Sequence, residues 1–197
     1  MMSRSNYISC TLFALVSLMV LACSGAKEEK NIVEIEVPLI PEGYEILATD
    51  TLTIGTETFV INALKSSEED EESSGFNTEL NRPLTILKGS REKGFGLLAR
   101  NDSVILCKAC GGIMGDPWDG LYTEENSFTV NHAGGSSSRW SRNVKFQYNT
   151  ATKNWVMVSD RGASYSSLDP ENTFEMTIYT PGDSLGLVPF ESFKTDF

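Results

Sequence analysis

The sequence predicts an all-β fold, a mostly antiparallel sheet arranged as a sandwich or a propeller-like meander, with short helical turns at most. Apolar and polar residues alternate along short segments, and a period of two is the signature of a strand. Turn-forming residues separate these segments at intervals of about eight to twelve residues, as they do in β sandwiches and barrels. No segment shows a sustained helical period.

The clearest pattern is a predicted hairpin over residues 127–148. Glycines and serines at 134–138 supply the reversal between its two arms. The apolar side chains of both arms fall in one row, together with Arg142. The row comprises Phe128, Val130, His132, Trp140, Val144, Phe146 and Tyr148. A polar turn at 149–154 leads into a third strand that starts near Trp155, and we predict that these three strands form the core.

Further short segments are rich in β-branched and aromatic residues, and each is bounded by turn residues. We predict strands at 32–37, 51–54, 58–64, 83–87, 95–99, 103–107 and 173–179. After residue 180 a Pro-Gly pair leads into a tail that we predict to be irregular, although it carries Phe190, Phe193 and Phe197.

Residues 1–22 have the pattern of a secretory signal peptide, with Arg4 ahead of an apolar stretch at 11–22. As a helix these twelve residues reach about 18 Å, which is short of the about 30 Å of hydrocarbon in a bilayer. We therefore exclude the segment from the fold and expect it to be removed.

The stretch Val20-Leu21-Ala22-Cys23 resembles the lipobox of bacterial lipoproteins, where cleavage leaves a lipidated N-terminal cysteine. The alternative is an ordinary signal peptide that contains a cysteine. The resemblance implies Sec-type export and a lipid bilayer as partner through Cys23, with the protein at the outer membrane or the cell surface. Residues 23–36 then form a polar tether, and 37–197 a single β-rich domain. The charged residues after Cys23 also resemble the export signals of surface lipoproteins in the Bacteroidota.

The chain is acidic, with 27 Asp and Glu against 16 Lys and Arg. Removal of residues 1–22 removes one arginine and no acid, so the formal charge changes from −11 to −12. A charge of this sign argues against nucleic acid as a partner. Five adjacent acids at 68–72 predict a disordered surface loop over 66–74. They lack the alternate spacing of a calcium loop, so we predict no metal and no cofactor.

Cys107 and Cys110 are the cysteines left in the predicted domain. Their spacing suits a redox pair or half of a zinc site, but no helical pattern follows and the chain has one histidine. We predict a local disulfide or a pair of free thiols in an oxidising compartment.

Two glycine-rich segments that carry tryptophan, 111–120 and 132–142, are the candidate contact surface. Such segments lie at sheet edges, where binding residues are common. Arginine and indole groups pair well with ligands, and they also stack on each other within a sheet. The candidate ligand-binding residues are Asp116, Trp118, Asp119, His132, Arg139, Trp140 and Arg142.

The stretches 110–120 and 128–136, with Arg139-Trp140 and the residues 146–148, resemble a group of uncharacterised secreted bacterial proteins. The resemblance runs from about Pro41 to Phe197 and implies a calcium-type loop after residue 44, but residues 50–56 lack the series of acids. It implies no catalytic role.

The sequence contains no convincing catalytic constellation, so we expect a non-catalytic binding or structural module on a lipid tether. One alternative is an immunity-type lipoprotein that neutralises a basic toxin, which the acidic charge favours. Another is a hydrolase that uses His132 with a nearby serine, although nothing in the sequence orients such a pair.

Overall fold

The structure is a computed structural model that describes residues 40–70, 80–180 and 187–195. These residues form two antiparallel sheets that pack face to face, and the predicted all-β fold is confirmed as a sandwich. The predicted signal peptide, Cys23, the tether and the strand at 32–37 lie outside the described residues.

The first sheet is a meander of four strands in the order β1-β2-β3-β4. Its strands are β1 (Tyr44–Ile54), β2 (Glu57–Ser66), β3 (Arg82–Ser90) and β4 (Gly94–Ile105). Gly55 supplies the turn between β1 and β2 with φ of 62°, a left-handed conformation that favours glycine. The predicted segments at 95–99 and 103–107 belong to one strand, β4, because the polar residues between them continue the pairing with β3.

The second sheet has the order β10-β8-β7-β6-β5, and β9 also pairs with β8. Its strands are β5 (Trp118–Glu124), β6 (Ser127–Gly135), β7 (Ser138–Asn149), β8 (Asn154–Ser166), β9 (Glu175–Tyr179) and β10 (Val188–Pro189). The predicted central hairpin is β6 and β7, and its third strand is β8. One helical turn, α1 (Pro170–Thr173), precedes β9, which therefore begins two residues later than predicted.

The core lies between the two inner sheet faces and is rich in aromatic side chains. Phe128 stacks on Phe146 with ring centroids 5.2 Å apart, and Trp155 contacts Phe59 of the first sheet edge to face at 5.4 Å. Full burial of an aromatic or aliphatic side chain contributes about 1.5 to 3 kcal/mol. Packing of the predicted apolar row against the first sheet therefore holds the sandwich together.

The C-terminal tail differs from the irregular tail that the sequence predicts, since it returns to the core. It adds β10 to the edge of β8 and then forms a 3₁₀ turn, Phe190–Ser192. Phe190 and Phe193 are buried, and the buried Asn101 amide donates to both their carbonyl oxygens at 2.5 and 2.8 Å. This amide fixes the tail against the end of the sandwich.

The long strand β8 shares its outer edge between two short partners. β10 pairs with Val156 and Met157, whereas β9 pairs with the stretch from Asp160 to Ser164. A register shift in the β7–β8 pairing falls between these two stretches. Among the described residues, no strand pairs with β8 between the stretches that β9 and β10 occupy.

Glu69 requires a correction to the predicted disordered loop over 66–74. Its side chain is buried and accepts hydrogen bonds from Nε of the buried Arg82 at 3.0 and 3.1 Å. Ser66 ends β2, and residues 71–74 lie outside the described residues. One acid of the run thus neutralises a buried arginine, and the composition of the run gave no sign of it.

Candidate functional site

The two glycine-rich segments contact each other at one end of the sandwich. A Cβ atom placed on Gly134 would lie 2.6 Å from Cζ2 of Trp140 and 2.9 Å from the carbonyl oxygen of Gly111. A Cβ atom on Gly112 would lie 3.4 Å from the carbonyl oxygen of Gly135. The glycines thus let backbone approach backbone, and Trp140 covers Gly134 from within the same sheet.

A disulfide joins Cys107 and Cys110, and Cys110 directly precedes Gly111, the first glycine of this contact. The cysteines flank the start of a 3₁₀ segment, Lys108–Met114, which is interrupted at Gly112, where φ is 67°. Beyond the interruption the side chains of Ile113 and Met114 are exposed. We call the region built from the disulfide, the 3₁₀ segment and the glycine contact the stapled end.

Asp116, a predicted ligand-binding residue, is engaged in an ion pair at the stapled end. Its carboxylate accepts from Nη1 and Nη2 of Arg82 at 2.8 and 2.6 Å and from the Trp118 N–H at 3.0 Å. Burial acts to raise the pKa of this carboxyl, but these hydrogen bonds outweigh it and lower the pKa. Arg82 therefore links Asp116 to Glu69, and the arrangement accounts for Asp116 without a ligand.

Asp119 is exposed on β5, and its backbone oxygen accepts a hydrogen bond from the Tyr122 hydroxyl at 3.1 Å. Across residues 40–70, 80–180 and 187–195, no group of three or more His, Cys, Asp or Glu side chains is arranged to hold a metal ion.

His132 is buried, with 1% of its surface exposed, on the inner face of β6. Its Nε2 accepts the backbone N–H of Leu106 at 3.2 Å, and the Trp118 ring meets it edge to face at 6.2 Å. Burial, with the nearby positive charges of Arg142 and Arg82, lowers the pKa of the imidazole to about 4. A neutral, enclosed imidazole that holds a backbone N–H suits a structural role, because a general base must reach a substrate.

Arg142 lies opposite His132 in the β6–β7 pairing, and its guanidinium faces Asp160 of β8. Nε and Nη2 donate to the two carboxylate oxygens at 2.9 and 2.6 Å, and the guanidinium lies 6.0 Å from the Phe193 ring centroid. Arg139 points to the opposite face of the sheet, since successive side chains of a strand alternate. The side chains of the predicted row therefore share one face of the sheet, and Arg139, which was not part of that row, lies on the other face.

A cleft of about 430 Å³ opens beside Arg142, at the gap between β9 and β10. We call it the β9–β10 cleft. Its lining residues come from β7, β8, β9, β10 and the tail, and they are Arg142, Met157, Asp160, Tyr179, Val188, Ser192, Phe193 and Lys194. Of the predicted ligand-binding residues, Arg142 alone lines the cleft. The other lining residues come from four separate segments, so no local pattern of the sequence could group them.

The outer side of β9 carries exposed apolar side chains. Met176 and Ile178 alternate along the strand and are 60% and 50% exposed, and Phe174 precedes them at 57%. In the β8–β9 pairing Met176 lies opposite Ala163, so Tyr165 extends the same face. We call the outward surface of Tyr165, Phe174, Met176 and Ile178 the β9 face. Isolated exposed apolar residues are ordinary, but a contiguous group indicates an interaction surface.

No family model, curated protein or solved structure matches this chain. Within the described part of the chain, no helix has the length and apolar character needed to cross a membrane. A function is therefore inferred from the residues and their geometry alone.

Proposed function

We propose that this protein is a non-catalytic binding module, held at the bacterial envelope by a lipid on Cys23. It binds an extended segment of a partner protein along β9. The observation that carries the proposal is the β9 face, where three successive outward side chains from residue 174 to 178 are each at least half exposed.

The position of β9 in the sheet suits strand addition. Among the described residues β9 pairs with β8 alone, so one edge of its backbone has no strand beside it. Proteins usually protect such an edge with lysine, proline or a bulge, and β9 contains none of these in Glu175–Tyr179. A partner strand would gain main-chain hydrogen bonds from this edge.

Side chains on the β9 face would add specificity, because an added strand places alternate residues beside Met176 and Ile178. Burial of an exposed apolar side chain contributes about 1.5 to 3 kcal/mol, which offsets part of the cost of ordering the partner. The turn between β8 and β9 is fixed within the protein itself, because the Thr173 hydroxyl accepts the Ser166 N–H at 2.8 Å. β9 therefore does not need a partner to hold it beside β8.

A photo-reactive residue placed in intact cells tests the contact surface. Met176 and Leu97 are similarly exposed, at 60% and 55%, and Leu97 lies on β4 of the other sheet, so it serves as the matched control. We expect a discrete adduct from position 176 that Ile178→Glu abolishes, and no such adduct from position 97. Identical adducts from both positions, or no adduct from either, would show that β9 is not the binding surface.

The lipid anchor is a separate element of the proposal, supported by the stretch Val20-Leu21-Ala22-Cys23. Palmitate labelling of the wild type and of Cys23→Ala measures it directly. We expect label in the wild type alone and sedimentation with membranes that the variant loses, since an acyl chain contributes about 0.8 kcal/mol per buried methylene. Equal labelling of Cys10→Ala and wild type completes the control.

A second candidate function is immunity against a basic toxin, and the excess of 27 acids over 16 basic residues favours it. Complementary charge accelerates association and makes it sensitive to salt. We expect deletion of the gene to sensitise cells to a toxin encoded beside it. Unchanged survival on exposure to every such toxin argues against this function and leaves strand binding intact.

A further inference from the structure

We propose that the β9–β10 cleft is a binding site for a small monocarboxylate with an apolar body, such as an aryl or alkyl carboxylic acid. This site is distinct from the β9 face, because it opens on the inner side of the second sheet and takes a small molecule.

The fold builds the cleft where β8 changes partners. β10 ends its pairing at Met157 and β9 begins at Asp160, so the two short strands stand apart at the edge of β8. The tail closes the third side, because the Asn101 amide fixes the backbone at Phe190 and Phe193. The resulting volume of about 430 Å³ falls within the range of about 300 to 1,000 Å³ typical of ligand sites.

The polar floor of the cleft is held in place before any ligand arrives. Arg142 and Asp160 form a two-point ion pair with side chains 13% and 16% exposed. The Phe193 ring lies against the guanidinium and limits its movement. Because Arg142 donates to both oxygens of Asp160, its positive charge neutralises the acid of the floor and weakens the attraction of that acid for a cation.

The charges at the cleft select an anion. Among the described lining residues, Arg142 and Asp160 form an ion pair and Lys194 adds one positive charge, so these side chains together carry a net charge of about +1. A monoanion neutralises it. The acidic surface of the whole chain opposes anions at long range, but salt screens charges beyond about 8 Å at physiological ionic strength. A carboxylate in the cleft would lie near the exposed Lys194 ammonium, with the Tyr179 and Ser192 hydroxyls as further donors.

The apolar walls of the cleft determine that the rest of the ligand is apolar. Met157, Val188 and Phe193 supply an apolar surface beside the charged floor. Sites that combine an apolar wall with a few convergent polar groups bind amphipathic small molecules, since burial supplies affinity and the polar groups fix orientation. A bare inorganic anion would leave this wall uncovered.

Titration of the purified full chain with phenylacetate and with phenylacetamide, followed by calorimetry, tests the site. The two probes share an aromatic body and differ in charge. We expect saturable binding of phenylacetate and at least tenfold weaker binding of the amide. Absence of saturable phenylacetate binding, or equal affinity for both probes, would overturn the proposal.

Lysine variants locate the site. Lys194→Met removes the cationic group at the cleft, and Lys93→Met makes the same change in the exposed turn between β3 and β4. We expect Lys194→Met to weaken phenylacetate binding about tenfold, the effect of one lost charge-assisted hydrogen bond, and Lys93→Met to leave it unchanged. Equal affinities in the two variants would overturn the assignment, as would amide resonance shifts centred away from Tyr179 and residues 188–194. Neither titration involves a protein partner, so failure here is distinct from failure of strand binding at β9.

Discussion

The stapled end differs from the β9 edge of the second sheet, which carries the β9 face and the β9–β10 cleft, in how completely its side chains are paired and packed. At the stapled end, a disulfide, two glycine contacts and a buried arginine between two acids fill the space and satisfy the polar groups around Asp116. At the β9 edge, the second sheet presents exposed apolar side chains and an open cleft. The difference teaches that the residues most conspicuous in the sequence stabilise the fold, whereas the surface that we propose for partners is made from inconspicuous ones.

Loss of Arg82 should break the stapled end most severely. Arg82→Met leaves Glu69 buried without a cation, and removal of one partner from a buried ion pair costs about 3 to 5 kcal/mol. Urea unfolding measures the loss. Arg100→Met is the control, since Arg100 pairs with the exposed Asp102, and such surface pairs contribute about 0 to 1 kcal/mol. Similar losses in the two variants would mean that the buried ion pairs of Arg82 contribute no more to stability than a surface ion pair does.

The glycine contact should be nearly as sensitive. Gly134→Ala forces a Cβ atom against Trp140 and the Gly111 backbone, and overpacking of this kind costs about 3 kcal/mol at the upper end of its usual range. Gly162→Ala on β8 is a matched control, because its added Cβ would have nothing within 4 Å. The difference between the two free energies of unfolding measures the contact, and a difference near zero would contradict the packing described.

Acid should weaken the stapled end through His132. The folded-state pKa of about 4 lies below the ordinary value of 6.5, so the unfolded state binds more protons between these values. Stability that is present above pH 6.5 is therefore lost as the pH falls toward 4. From pH 7 to pH 5 we expect a loss of about 2 kcal/mol in urea unfolding, following the conversion of about 1.4 kcal/mol per pKa unit.

His132→Gln supplies the control for this loss, since its amide oxygen can accept the Leu106 N–H but does not titrate. We expect the variant to be less dependent on pH across the same window. A variant that loses as much stability as the wild type from pH 7 to pH 5 would show that His132 is not the source of the loss.

The β9 face should contribute least to stability. Met176→Glu and Phe174→Ser alter exposed side chains of this face, and substitutions of this kind usually change the free energy of unfolding by less than about 0.5 kcal/mol. The measurement is urea unfolding of each variant beside the wild type. A large loss would show that the face packs against the protein itself, and it would then be part of the fold instead of a surface for partners.

The sequence predicts the strands of the second sheet well because alternation is local. The row from Phe128 to Tyr148 could be read directly, and it contains His132, Trp140 and Arg142 on one face. The sequence does not reveal which residues face each other on neighbouring strands. Asp160 meets Arg142 only through the register of β7 and β8, which shifts near Lys145, and a shift of one residue changes which side chains face each other.

Long-range contacts explain the other differences between prediction and structure. Glu69 reaches Arg82 and the tail reaches Asn101 because the folded sheets bring distant segments together. A run of acids is ordinarily a solvated loop, and a tail interrupted by proline and glycine is ordinarily irregular. Local composition is informative about such segments until a single tertiary partner outweighs it, as Arg82 and Asn101 do here.

Phe190 and Phe193 complete the core from positions that follow β1 to β9 in the chain, so they leave the ribosome after those strands. A nascent chain without them lacks two aromatic rings that pack on Phe146, so its sandwich stays unfinished during synthesis. Translocation through a narrow secretion channel requires an unfolded polypeptide, and residues 1–22 predict that route. Late closure of the core would keep the chain competent for passage and delay its final folding to the far side of the membrane.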